Sequence, residues 1–164
     1  MQKNLILQGV GGLVILACVA RYLYTLTQVP WTPTFGAAAA AFVFISLAAA
    51  WLLLHRHPGR PKTQWWLPAS LLAGAALCGV LPPVNTAYLS STADLPDVVA
   101  YLFSSIPEET AKLLAVFFVV AVFAPVRRPV EAAVAGMAIG AGYTVAETVT
   151  NSAIAATLDL QSEY

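Results

Sequence analysis

Three carboxylates and an ammonium sit inside sequence that is otherwise apolar. Glu108, Glu109 and Lys112 lie in the stretch SSIPEETAKLLAV, residues 104–116, and Glu147 lies in a second apolar run. A carboxylate at the middle of a bilayer costs about 2.5–3.5 kcal/mol, so such residues mark function. The chemistry open to them is proton abstraction from water, cation binding or proton relay. Glu108 and Lys112 are four residues apart, share a helix face and can pair. Glu109 points about 100° away on the same turn, so Lys112 cannot neutralise both carboxylates at short range.

The elements that must position these groups are membrane helices. The chain has 164 residues, of which 10% are charged, and a mean hydropathy of +0.76. Soluble domains carry about a quarter charged residues. The composition therefore reads as one integral membrane domain over 1–164. Net charge is zero, and with no basic patch the sequence excludes nucleic acid as a partner. Cys18 and Cys78 read as small apolar side chains. A bilayer core needs roughly 20 apolar residues per helix, and five stretches qualify: 4–28, 35–54, 65–83, 98–124 and 131–156. Helices satisfy their own backbone groups in lipid, so the fold class is an all-α bundle of about five transmembrane helices. Pro82 and Pro83 are expected to end the third span.

Basic residues set the orientation. Lys3 precedes the first span, Arg56, Arg60 and Lys62 follow the second, and Arg127 and Arg128 follow the fourth. Connections 29–34 and 84–97 carry no Lys or Arg, and the latter holds Asp94 and Asp97. This pattern puts the N-terminus inside and the C-terminus outside. His55 and His57 fall in a basic loop far from the carboxylates and read as solvated loop residues.

Spans four and five form a hairpin about Arg127–Arg128. Equal rise per residue then puts Glu108 and Glu147 at similar depth. Three carboxylates converge there in the outer half of the membrane. Ala132, Gly136, Gly140 and Thr144 recur every four residues, a small-residue stripe that lets a neighbouring helix approach closely. Glu147 and Asn151 continue roughly the same face. A second local reading competes. Ser105-Ile106-Pro107-Glu108 fits a capping box with an early proline, which would start the fourth helix near Ile106 and place the glutamates at the outer interface.

Two motifs together resemble the PrsW-type intramembrane proteases, within the CAAX-protease-like superfamily. Glu108-Glu109-Thr110-Ala111-Lys112 matches the family's EExxK. The stretch Glu131–Thr148 resembles its second motif, in which small residues lead into GxGFAxxEN. Gly136, Gly140, Gly142 and Glu147 match, and Tyr143 replaces Phe. Thr148 stands where the family has Asn, and Thr144 where it has Ala. The family also carries a histidine motif in a later helix, whereas this sequence reaches Tyr164 directly after the fifth span. Three readings stay open: further helices, catalysis without that motif, or lost catalysis.

The resemblance implies an endopeptidase acting on a membrane-anchored protein. Glu108 or Glu109 would be the general base that activates water, and Glu147 would complete the polar site. A divalent metal is a possible cofactor, and oxygen ligands alone suit Mg or Ca better than Zn. The rival reading is a catalytically inactive relative that serves as a structural subunit of a larger membrane complex. In it, Gly136 and Gly140 would dock partner helices, and Lys112 and Asn151 would pair with neighbouring groups. An ion-conducting element ranks last, since only Lys112 lies below the glutamates in span four. The expected partners are membrane lipids and a membrane-protein substrate or partner helices, and the expected location is the bacterial inner (cytoplasmic) membrane.

Overall fold

The computed structural model describes residues 2–103 and 105–162. Among these, the chain forms six helices and no strand. They are α1 (Gln2–Thr27), α2 (Pro33–His55), α3 (Trp66–Ser91), α4 (Asp97–Phe103), α5 (Ile106–Val122) and α6 (Pro129–Ser162). Four of them are long and apolar enough to cross a bilayer: Leu5–Thr27, Pro33–His55, Trp66–Ser91 and Pro129–Thr157. Their outer faces carry large apolar side chains such as Leu13, Phe44 and Leu53, all more than two-thirds exposed. Such a surface suits lipid and not water. The protein is an integral membrane protein.

Two expected spans come out differently. The continuous fourth span over 98–124 divides into α4 and α5. Pro107 in the first turn of α5 lacks an N–H and disfavours helical backbone before it. α5 itself has 17 residues, about 25 Å of helix and at the short limit for crossing. The third span does not stop at the prolines. α3 runs through Pro82 and Pro83 to Ser91. Both prolines face outward, where the missing N–H groups cost no contact with a neighbour, and Leu81 beside them is buried at 4% exposure.

The start of α5 at Ile106 agrees with the capping-box register, yet the box itself does not form. Ser105 makes no side-chain cap bond, and the backbone N–H of Glu109 donates to the Ser105 carbonyl at 3.0 Å. α2, by contrast, is capped: the Phe35 N–H donates to Thr32 Oγ1 at 3.2 Å, with proline at the helix start.

α3 is the central helix, packed by α1, α5 and α6, while α2 leans mainly on α6. The core joins Leu67, Ala73 and Ala76 of α3 to Val119 and Val122 of α5, and to Val134, Ala138 and Ile139 of α6. The closest approach is between α3 and α6. A Cβ built on Gly74 would strike the Ile139 carbonyl, and one on Gly142 would strike the Leu71 carbonyl. Backbones meet there because neither glycine has a side chain. The expected stripe plays no such part. Gly140 has nothing within 4 Å of a would-be Cβ, and Gly136 meets only Val116 at an ordinary 3.5 Å. Two residues of helix rotate Gly142 about 160° from Gly140, so the tight face is the other one.

Gly142→Ala should therefore lower the thermal midpoint of the protein in detergent micelles, by an overpacking cost of about 1–3 kcal/mol. Gly140→Ala should not lower it. Equal midpoints for the two variants would refute the assignment of the tight face.

Candidate active site at the junction of α3, α5 and α6

Glu147 stands on α6 one turn after Tyr143, and the i, i+4 spacing places both on one face. The Tyr143 hydroxyl donates to Glu147 Oε1 at 3.1 Å. Glu108, in the first turn of α5, comes to the same place from the other side. Its carboxylate is near enough for its charge to act on the Tyr143 hydroxyl, without a hydrogen bond between them among the described residues. Tyr143 is 4% exposed, whereas Glu108 and Glu147 are half-buried. The junction thus has an enclosed floor and an open mouth.

Asn85 completes the group from α3. Its Nδ2 donates to Glu108 Oε1 at 3.2 Å, while its buried Oδ1 has no hydrogen-bond donor among the described residues. The Glu108–Lys112 pair that the spacing allows does not form. Lys112 pairs instead with Glu109, three residues away, at 2.7 Å. Its ammonium also lies 4.3 Å from the Tyr143 ring centroid, where the ring's negative face attracts it. Asn85 holds Glu108 on the α3 side, which leaves Lys112 to the other glutamate.

The remaining expected residues lie around this group. The Glu109 side chain is 67% exposed, so it borders the junction without entering it. Asn151, one turn beyond Glu147, is exposed and makes no side-chain hydrogen bond among the described residues. Cys78 lies beneath, its thiol 3.8 Å from the Tyr143 carbonyl. Tyr22 ties α1 to the site: its hydroxyl donates to the Ala146 carbonyl at 2.8 Å. Glu131 is remote and buried at 4% exposure. It accepts the Arg127 N–H at 2.8 Å and Arg128 Nε at 3.0 Å.

Sequence reasoning overlooked Asn85 and gave Tyr143 no role. Both had a legible sign. Tyr143 is one helical turn from Glu147. Asn85 lies seven residues after Cys78, on the same face if the helix continues through the prolines.

The donor set tests the divalent metal that the resemblance implies. Among the described residues, no three His, Cys, Asp or Glu side chains gather closely enough to hold an ion. Glu108, Glu147 and the Asn85 amide offer oxygen donors only, while His55 ends α2 and His57 lies in the loop after it. A catalytic zinc site uses three protein ligands, usually with histidine. The residues at the junction do not make that site.

Neither the curated proteins nor the solved structures contain a match to this chain. The family comparison does return one, over residues 62–162, which include every residue of the junction. More than half of the chain is matched, and the chain belongs to the PrsW family of intramembrane metalloproteases.

Proposed function

We propose that this protein hydrolyses a peptide bond of a membrane-anchored protein at the junction of α3, α5 and α6. The observation that carries the reading is the convergence of three helices on these groups: Asn85 of α3 holds Glu108 of α5, and Lys112 of α5 lies over Tyr143 of α6, whose hydroxyl holds Glu147. Glu108 is the general base. It takes a proton from the attacking water and returns it to the leaving amine. Glu109 is a poorer candidate, because Lys112 holds it at the exposed rim. The carbonyl oxygen gains negative charge as water adds, and the Tyr143 O–H is the donor nearest to receive it. Asn85 is a positioning residue that fixes the Glu108 carboxylate. The unspent Asn85 Oδ1 is an acceptor suited to a substrate amide N–H.

One observation favours the rival reading of a packing subunit. The Gly140 face of α6 is open and would accept a partner helix. On that reading Gly140→Leu ejects the chain from its complex, and cleavage is absent with or without Glu108.

The bacterial inner membrane, with the N-terminus inside and the C-terminus outside, fits the charge distribution. The Thr63 hydroxyl donates to the Phe123 carbonyl at 2.8 Å, which binds the two basic loops at one end of the bundle. Glu108 lies at the opposite end of α5. A reporter fused after Tyr164 is therefore expected outside the cytoplasm, and cytoplasmic activity of that fusion would reverse the orientation.

Cleavage of single-span membrane-anchored proteins by the purified chain in liposomes tests the chemistry. Glu108→Gln should lower kcat/KM by about 10²–10⁴, and Glu109→Gln by less than about fivefold, with both variants folded. Equal losses would remove the distinction between the two glutamates. Unchanged cleavage in both would sink the mechanism. Asn85→Ala should lower kcat about a hundredfold, the scale of a displaced catalytic group, with KM little altered. A change confined to KM would show that Asn85 only binds substrate.

A further inference from the structure

The basic end of the bundle holds two cavities that the proposed chemistry does not use. The first, of about 680 Å³, is lined by Lys62, Thr63, Arg127, Arg128 and Glu131, among others. It lies between the α2–α3 and α5–α6 loops, at the point where Thr63 joins them. Both Glu131 oxygens are already engaged, one by the Arg127 N–H and the other by Arg128 Nε. Three cations therefore face one carboxylate. Among the described residues, neither the Lys62 ammonium nor the Arg127 guanidinium has an acidic partner. The second cavity, of about 550 Å³, shares Lys62, Thr63 and Arg128 with the first and adds Arg60 and Trp51.

The surplus charge calls for an anion, and the surroundings identify its source. Trp51 lies one turn before the end of α2 and Trp65 immediately before α3. They are 43% and 59% exposed, and exposed tryptophans at the ends of membrane helices sit at headgroup level. The cavities open between those same helix ends. We propose that this pair of cavities binds the phosphate headgroup of an anionic phospholipid from the adjoining leaflet. Lys62 and Arg127 are the principal contacts, and Trp51 lies against the glycerol and upper acyl region. Basic pockets between membrane helices suit such headgroups. A site here clamps the α2–α3 loop to the α5–α6 loop, and so bears on the hairpin that sets the depth of Glu108 against Glu147.

The test is lipid titration of the purified full chain in detergent micelles, read by native mass spectrometry. Phosphatidylglycerol should bind at least tenfold more tightly than phosphatidylcholine. Lys62→Gln and Arg127→Gln should each weaken phosphatidylglycerol about fivefold, as expected for one interfacial charge. Arg56→Gln should not, because Arg56 lines neither cavity. Arg127→Lys, which keeps the charge, should retain most of the affinity, and this separates charge from misfolding. Equal binding of the two lipids would overturn the proposal. So would an equal effect of Arg56→Gln, which would indicate diffuse surface charge. Inorganic phosphate competing as well as the lipid would also overturn it, by making the ligand a free anion.

Discussion

Two glycines allow the backbones of α3 and α6 to touch, and the polar junction depends on that contact. Gly74 sits against the Ile139 carbonyl and Gly142 against that of Leu71. Gly142 immediately precedes Tyr143, so the contact fixes the start of the turn that presents Tyr143 and Glu147. On α3, the helix rises eleven residues from Gly74 to Asn85, about 16 Å. The two strongest constraints on the site, the Tyr143 and Asn85 hydrogen bonds, thus grow from one crossing. A side chain at either glycine would separate the helices and move both groups. Lipid supplies no hydrophobic drive to bring helices together again, since packing contacts are what hold them.

The second constraint is the cost of charge in an apolar medium. Each carboxylate has its own solution. Glu109 takes the ammonium of Lys112 at the exposed rim. Glu108 and Glu147 take neutral donors, the Asn85 amide and the Tyr143 hydroxyl. Neutral donors solvate a carboxylate without cancelling its charge. An ion pair would have left Glu108 a weaker base, because the neighbouring cation holds the proton off. Had Lys112 paired with Glu108, the junction would have been electrically quieter and chemically poorer.

Much of this was legible in the sequence. The hydropathy runs gave the long helices, the basic loops marked one end of the bundle, and the short Arg127–Arg128 connection made α5 and α6 neighbours. The errors share a cause: each concerned the direction of a side chain or the persistence of a helix. Pro82-Pro83 read as a stop, which consigned Asn85 to a loop. In the folded chain, neighbours sustain α3 past two missing N–H groups, as membrane helices allow. Lys112 had two reachable carboxylates, at i−3 and i−4, and spacing alone could not choose between them. The choice was made by Asn85, 23 residues of sequence before Glu108 and on a different helix, beyond any local rule. The small-residue stripe shows the same limit. A repeat every four residues identifies a face, but which face meets a neighbour depends on Leu71 and Ile139, which the repeat does not contain.

The two ends of the molecule hold opposite charges with related physics. At the basic end, Glu131 is spent on the Arg127 N–H and Arg128 Nε, and cations remain in excess. At the other end, Lys112 is spent on Glu109, and carboxylates remain in excess. Each excess has been left by pairing one charge and withholding a partner from the next. Net charge over the chain is zero, so the composition alone hides this separation. α5 and α6 run between the two ends, and their shared loop joins them at the basic one. Whatever holds that loop in register also fixes the offset between Glu108 and Glu147. The electrostatics of the basic end and the geometry of the carboxylates are therefore one mechanical problem, solved along the length of a single helical hairpin.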